Sequence, residues 1–93
     1  MIIIAGYTRT AAEARDNAVA AHAPMVARAR IHHGCLDLAI SADAIDPERI
    51  NVFERWADQA SLDAWRKIAN PPDVSRRETH VSLFHTEQAE SPF

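Results

Sequence analysis

The chain has 93 residues and a mass of 10.3 kDa, enough for one domain and too little for two. Its composition, 47% apolar and 25% charged, is that of an ordinary globular domain and excludes a collagenous, disordered or low-complexity protein. A net charge of −3 argues against a nucleic-acid platform, which needs a basic stripe.

Ile2–Arg9 is β-branched and apolar, then polar at its end, and reads as a buried strand. Thr10 and Glu13 have the spacing of a capping box ahead of an alanine-rich helix from Ala11 to about Ile31. In that helix Ala18, His22, Met25 and Ala29, flanked by Val19 and Val26, form an apolar stripe, with Arg15, Asp16, Arg28 and Arg30 outside it. Pro24 removes one backbone hydrogen bond there, so a single bent helix is expected. Gly34, after His32-His33, supplies a left-handed position to end it. Cys35–Ala42 alternates, which places Leu36, Leu38 and Ile40 on one face of a second strand. Asp46-Pro47 marks a turn into a third strand, Ile50–Trp56, the hairpin partner of the second. Asp58 can cap a second helix with Leu62, Trp65, Ile68 and Ala69 on one face, stopped by Asn70-Pro71-Pro72. A last strand lies within Arg76–Thr86, with Val81 and Leu83 opposite Ser82 and Phe84. Glu87–Phe93 reads as a loose tail of a single domain spanning residues 1–93.

The order β-α-β-β-α-β with right-handed crossovers gives an antiparallel four-stranded sheet with both helices on one face, an α+β, ferredoxin-like domain. Its other face needs cover. A chain of this length buries only roughly 60–65% of the surface it exposes when unfolded, so a face-to-face homodimer is expected. Cys35 is the one cysteine and has no partner for an internal disulfide. The apolar start Met1–Tyr7 is far shorter than a membrane span. A cytoplasmic protein with no membrane or nucleic-acid partner is expected.

Gly34-Cys35-Leu36, the hairpin Asp46-Pro47-Glu48-Arg49-Ile50-Asn51-Val52-Phe53-Glu54-Arg55-Trp56 and the following Ala60-x-Leu62-x-Ala64 resemble the antibiotic biosynthesis monooxygenase family. So does the place of Pro24 in the first helix. The resemblance runs from about Ile2 to Ile68 and implies a dimeric α+β barrel. Similar domains include cofactor-free monooxygenases of polyketide tailoring, quinol monooxygenases, haem-degrading oxygenases and proteins without a known reaction. The fold alone does not choose among them.

The resemblance makes Trp56 a wall of the substrate cavity, and the alternative is a tryptophan that only packs the core. Strand alternation then puts Glu54 and Val52 on the same face, and a carboxylate there suits a general base unless an arginine pairs with it. Trp65 matches a tryptophan in the second helix of the haem-degrading relatives. The expected haem-ligating histidine is absent from Ile68–Asp73, so haem degradation is not expected. Val52 stands where the polyketide-tailoring enzymes place an asparagine, which weakens an anthrone-type mechanism.

His22 lies on the apolar stripe and should face the sheet. It is either a proton acceptor from a phenol or an enolised ketone, or a boundary histidine bonded to a backbone carbonyl. Tyr7 on the first strand and His85 on the last are further candidates for the substrate cavity. His32, His33 and Cys35 lack a second cluster at ligand spacing, so no metal site is expected. The chain has two glycines, no Gly-rich phosphate loop and no Gly-x-Ser-x-Gly elbow, and nucleotide cofactors are not expected. The leading expectation is a cofactor-independent monooxygenase that joins a small electron-rich aromatic, quinol or anthrone-like, to molecular oxygen. The alternatives are a non-catalytic binding or dimerisation domain and an isomerase or cyclase acting on an enolisable ketone.

Overall fold

A computed structural model describes residues 1–93 as β1 (Ile2–Arg9), α1 (Ala12–Arg30), β2 (Cys35–Ala42), β3 (Arg49–Trp56), α2 (Gln59–Arg66) and β4 (Glu78–His85). The strands form one sheet in the order β2-β3-β1-β4, every neighbouring pair antiparallel. Both helices contribute to one core on one face: Ile2 and Ile4 from β1, Leu38 from β2 and Trp56 from β3 pack with Ala29 of α1 and Leu62 and Trp65 of α2. This is the ferredoxin-like arrangement expected from the element order. Leu38, Trp56 and Leu62 are the largest fully buried side chains, each stabilising the fold by about 1.5–3 kcal/mol.

The register sets which residues meet the helices. Ile2, Ile4, Gly6 and Thr8 pair with Trp56, Glu54, Val52 and Ile50, and these eight lie on the helix side. Tyr7 and Arg9 pair with Asn51 and Arg49 on the outer face. On β2 the alternation is interrupted by a bulge between Cys35 and Asp37. Leu36 is the extra residue and is exposed, so only Leu38 and Ile40 of the expected three point inward.

Helix α1 runs unbroken through Pro24, which is exposed along with Ala20 one turn earlier, so the carbonyl that loses its donor is on the solvent side. The expected capping box does not form. Ala11 occupies the N-cap without a side-chain bond, and buried Thr10 instead donates its hydroxyl to the Ser75 carbonyl at 2.8 Å. A buried hydroxyl needs that acceptor more than an exposed helix end needs a cap. At α2 the cap forms as expected, Asp58 accepting from the Ser61 N–H at 2.8 Å, and this bond holds the carboxyl below its usual range. Helix α2 stops at Arg66, earlier than the Asn70-Pro71-Pro72 signal, so Ile68 leaves the apolar face and is exposed.

Candidate functional site

A cavity of about 320 Å³ lies between the sheet and α1, within the range of small-ligand sites. Its floor is Thr8 of β1, Ile40 of β2, Ile50, Val52 and Glu54 of β3 and Thr79 of β4. His22 and Met25 of α1 face it, and the segment between α2 and β4 closes one side with Pro71, Val74, Ser75 and Arg76. That segment is tied down at both ends. Arg28 donates to the carbonyls of Ile68 and Ala69 at 3.2 and 2.7 Å, Thr10 to that of Ser75, and the Arg77 N–H to that of Arg9 at 2.8 Å. Between the anchors Asn70 takes a left-handed conformation, φ 47°, which turns the chain from α2 toward the cavity.

The helix fixes the chemistry of His22. Its Nδ1 lies 2.7 Å from the carbonyl oxygen of Ala18, one turn back. A carbonyl only accepts, so Nδ1 carries the proton, and in the neutral ring Nε2 is left with a free lone pair. Nε2 has no hydrogen-bond partner in the protein and is not among its buried unpaired atoms, while the ring lines the cavity. Of the two readings of this histidine, the bond to a backbone carbonyl is present, and in the neutral ring it leaves Nε2 as an acceptor beside the cavity.

Glu54 supplies the second acceptor. Its Oε1 accepts from the indole Nε1–H of Trp56 at 3.0 Å, and it forms no ion pair with an arginine. Nearby, burial pushes the Cys35 thiol up, and the Asp37 and Glu54 carboxylates add to the effect. Arg76 is the one guanidinium on the cavity wall and makes no hydrogen bond or ion pair within the protein.

The structure brings His22 and Glu54 to one cavity and places the other candidates elsewhere. Trp56 and Trp65 are fully or nearly fully buried and do not line it; they stack with centroids 6.1 Å apart in the core behind Glu54. His32 packs edge-on against both tryptophans. Tyr7 is on the outer face of the sheet, tilted over His80 at 5.0 Å with the Arg49 guanidinium 4.0 Å from its ring centre. His85 is exposed near Met1, Asp58 and Gln59, at the other end of β4 from Thr79. Sequence reasoning did not single out Arg76, Thr8 or Thr79. Thr8 and Thr79 share strand parity with inward residues, whereas Arg76 precedes β4 in a segment without periodicity.

An antiparallel ferredoxin-like sheet with a small, mainly apolar cavity between it and one helix, and a few convergent polar groups, fits the architecture of a small-molecule site. The model of the family described as antibiotic biosynthesis monooxygenase matches residues 1–70, three quarters of the chain, and the protein belongs to that family. Among solved structures, the fold is similar to that of a proposed antibiotic biosynthesis monooxygenase of Deinococcus radiodurans, with a TM-score of 0.74 and 16% identity over 100% of this chain and 99% of that one. A Shewanella oneidensis protein gives a TM-score of 0.76 with 20% identity over 91% of this chain and 89% of its own. Another structure, described as an antibiotic biosynthesis monooxygenase, gives 0.69 with 21% identity over 95% and 100% of the two chains. No curated protein matches the sequence.

Proposed function

We propose that this protein is a monooxygenase that joins molecular oxygen to an electron-rich aromatic diol, a quinol, held in the cavity beneath α1. The observation that carries this reading is the tautomer of His22: with Nδ1–H committed to Ala18, Nε2 is an acceptor at the cavity wall. Glu54 brings a second acceptor, and a substrate with two hydroxyl donors satisfies both. At the position of Val52 an anthrone ketone finds no donor, whereas a second hydroxyl finds an acceptor in Glu54.

In this reading His22 takes the proton of one hydroxyl, and the resulting phenolate is electron-rich enough to reduce oxygen. Arg76 offsets the negative charge, and the apolar surfaces of Met25, Ile40, Ile50 and Val52 keep bulk water from the reacting ring. One oxygen atom enters the ring and the other leaves as water, all four electrons coming from the substrate. The reaction asks the protein for a base, a countercharge and a dry cavity.

A second copy of the chain is the expected cover for the outer sheet face. That face carries the exposed rings of Phe53 and Phe84, and beside them a buried Arg55 Nε that has no partner within one chain. With Cys35 unpaired, a reducing cytoplasmic setting suits the protein. No helix is long and apolar enough to cross a membrane.

The test is oxygen uptake by the purified protein with a panel of quinols and anthrones, beside His22→Ala. Uptake with quinols that falls at least tenfold in the variant is the expected result. Binding of the same compounds with no oxygen uptake would replace the oxygenase reading by that of a binding domain.

A further inference from the structure

We infer that Trp56 is a positioning residue that acts on the bound substrate through Glu54: its buried indole N–H holds one carboxylate oxygen as an acceptor and leaves the other free for the cavity. This deepens the reading of the site given above and rests on the same cavity.

The geometry carries it in three steps. First, Trp56 has no exposed surface and does not line the cavity, so it has no contact of its own with a ligand there. Second, an indole N–H can only donate, and its acceptor at 3.0 Å is Glu54 Oε1, two residues earlier on the same strand face. Whatever its state, the carboxyl must keep an acceptor oxygen turned to that N–H, which directs its other oxygen away from Trp56. Third, the indole cannot move away. Trp65 stacks on it, His32 meets its edge, and Trp65 is in turn covered by the Arg28 guanidinium, 5.6 Å from its ring centre. A fixed donor fixes the acceptor, so Glu54 meets the cavity in one orientation.

The groups that can alter the Glu54 charge from the surrounding elements are His22 on α1, Arg76 ahead of β4, and Cys35 on β2. On β1 its neighbour is the uncharged Ile4. None of these donates a hydrogen bond to Glu54, which leaves the indole as its one donor within the protein.

The experiment follows the indole N–H resonances of the 15N-labelled protein across acid pH, with Trp65→Phe to assign the two signals. It needs no turnover, so it stands whether or not the protein consumes oxygen. The Trp56 signal is expected to move with a single titration in the wild type and to stay still in Glu54→Gln, which keeps an acceptor oxygen but carries no charge. Trp56→Phe, which keeps the ring and loses only the donor, should weaken anaerobic hydroquinone binding several-fold in the wild-type background and leave it unchanged in the Glu54→Gln background, whereas a purely structural tryptophan would weaken both alike. An indole signal indifferent to pH in the wild type, or one that titrates unchanged in Glu54→Gln, would overturn the inference. So would a folded Trp56→Phe that weakens hydroquinone binding equally in the wild-type and Glu54→Gln backgrounds. If Trp56→Phe does not fold, the comparison of the wild type with Glu54→Gln decides.

Discussion

His22 and Ala18 are one helical turn apart, and that spacing decides which ring nitrogen is free. A histidine on an apolar stripe would normally be a packing residue; here the i−4 carbonyl accepts a hydrogen bond from Nδ1–H, which leaves Nε2 of the neutral ring facing the cavity. His22→Ala should therefore lower quinol oxidation by about tenfold or more while the circular dichroism spectrum stays native. Asp43 shows the same kind of local control without a catalytic role. Its carboxylate accepts from the Asp46 N–H, the Asn51 side chain and the Ile45 N–H, which holds its pKa down to about 2. A carboxyl depressed in the fold contributes stability at pH above its unfolded value and loses it as pH falls through the folded one. Protection factors of the amides in the Asp43–Glu48 turn should therefore fall between about pH 4 and pH 2, and the fall should vanish in Asp43→Asn. The stripe that exposes His22 to view is written in the sequence. Depth is not: strand alternation gives the face of Trp56 and says nothing of how much lies between it and the cavity. Glu54 fills that space, which is why the tryptophan is core and the carboxylate is the wall.

The elements were legible wherever a period of two or of 3.6 persisted, and were misread where a tertiary contact outweighed the local signal. Thr10 has the sequence of a cap and the job of anchoring Ser75, because the segment between α2 and β4 returns to pack on the end of β1. Leu36 keeps the alternation in sequence and loses it to a bulge in space. Arg76 has no periodic neighbours at all, so only the anchored path of its segment brings it to the cavity. Gly34 combines a local and a tertiary requirement. It has φ +82°, and a Cβ there would run into the Ser61 side chain where α2 packs beneath the α1–β2 turn. Gly34→Ala should cost roughly 2 kcal/mol or more in urea unfolding, and Ser61→Gly in the same chain should recover part of it, since the steric conflict is relieved and the backbone strain remains.

For the whole molecule, the element order alone was enough to give the sheet topology, because few connections of that order obey right-handed crossovers. The outer face shows why one sheet and two helices leave a surface unfinished. Tyr7 and Phe53 lie on it with Phe84, and the unpaired Arg55 Nε is buried among them. Light scattering should give about twice the 10.3 kDa chain mass, and Phe53→Glu should shift the protein toward the single-chain value by placing a charge against its own copy. A dimer formed through this face would include Tyr7 in the contact.

The central claim is that the cavity between α1 and the sheet is where a small aromatic binds, and the most direct measurement is a map of amide and side-chain chemical shifts on titration with a hydroquinone under anaerobic conditions. The account predicts changes concentrated at His22, Val52, Glu54, Arg76 and Thr79, with His22→Ala weakening the binding. Changes gathered instead at Tyr7, Phe53 and Phe84, or around His85 and Asp58, would contradict it.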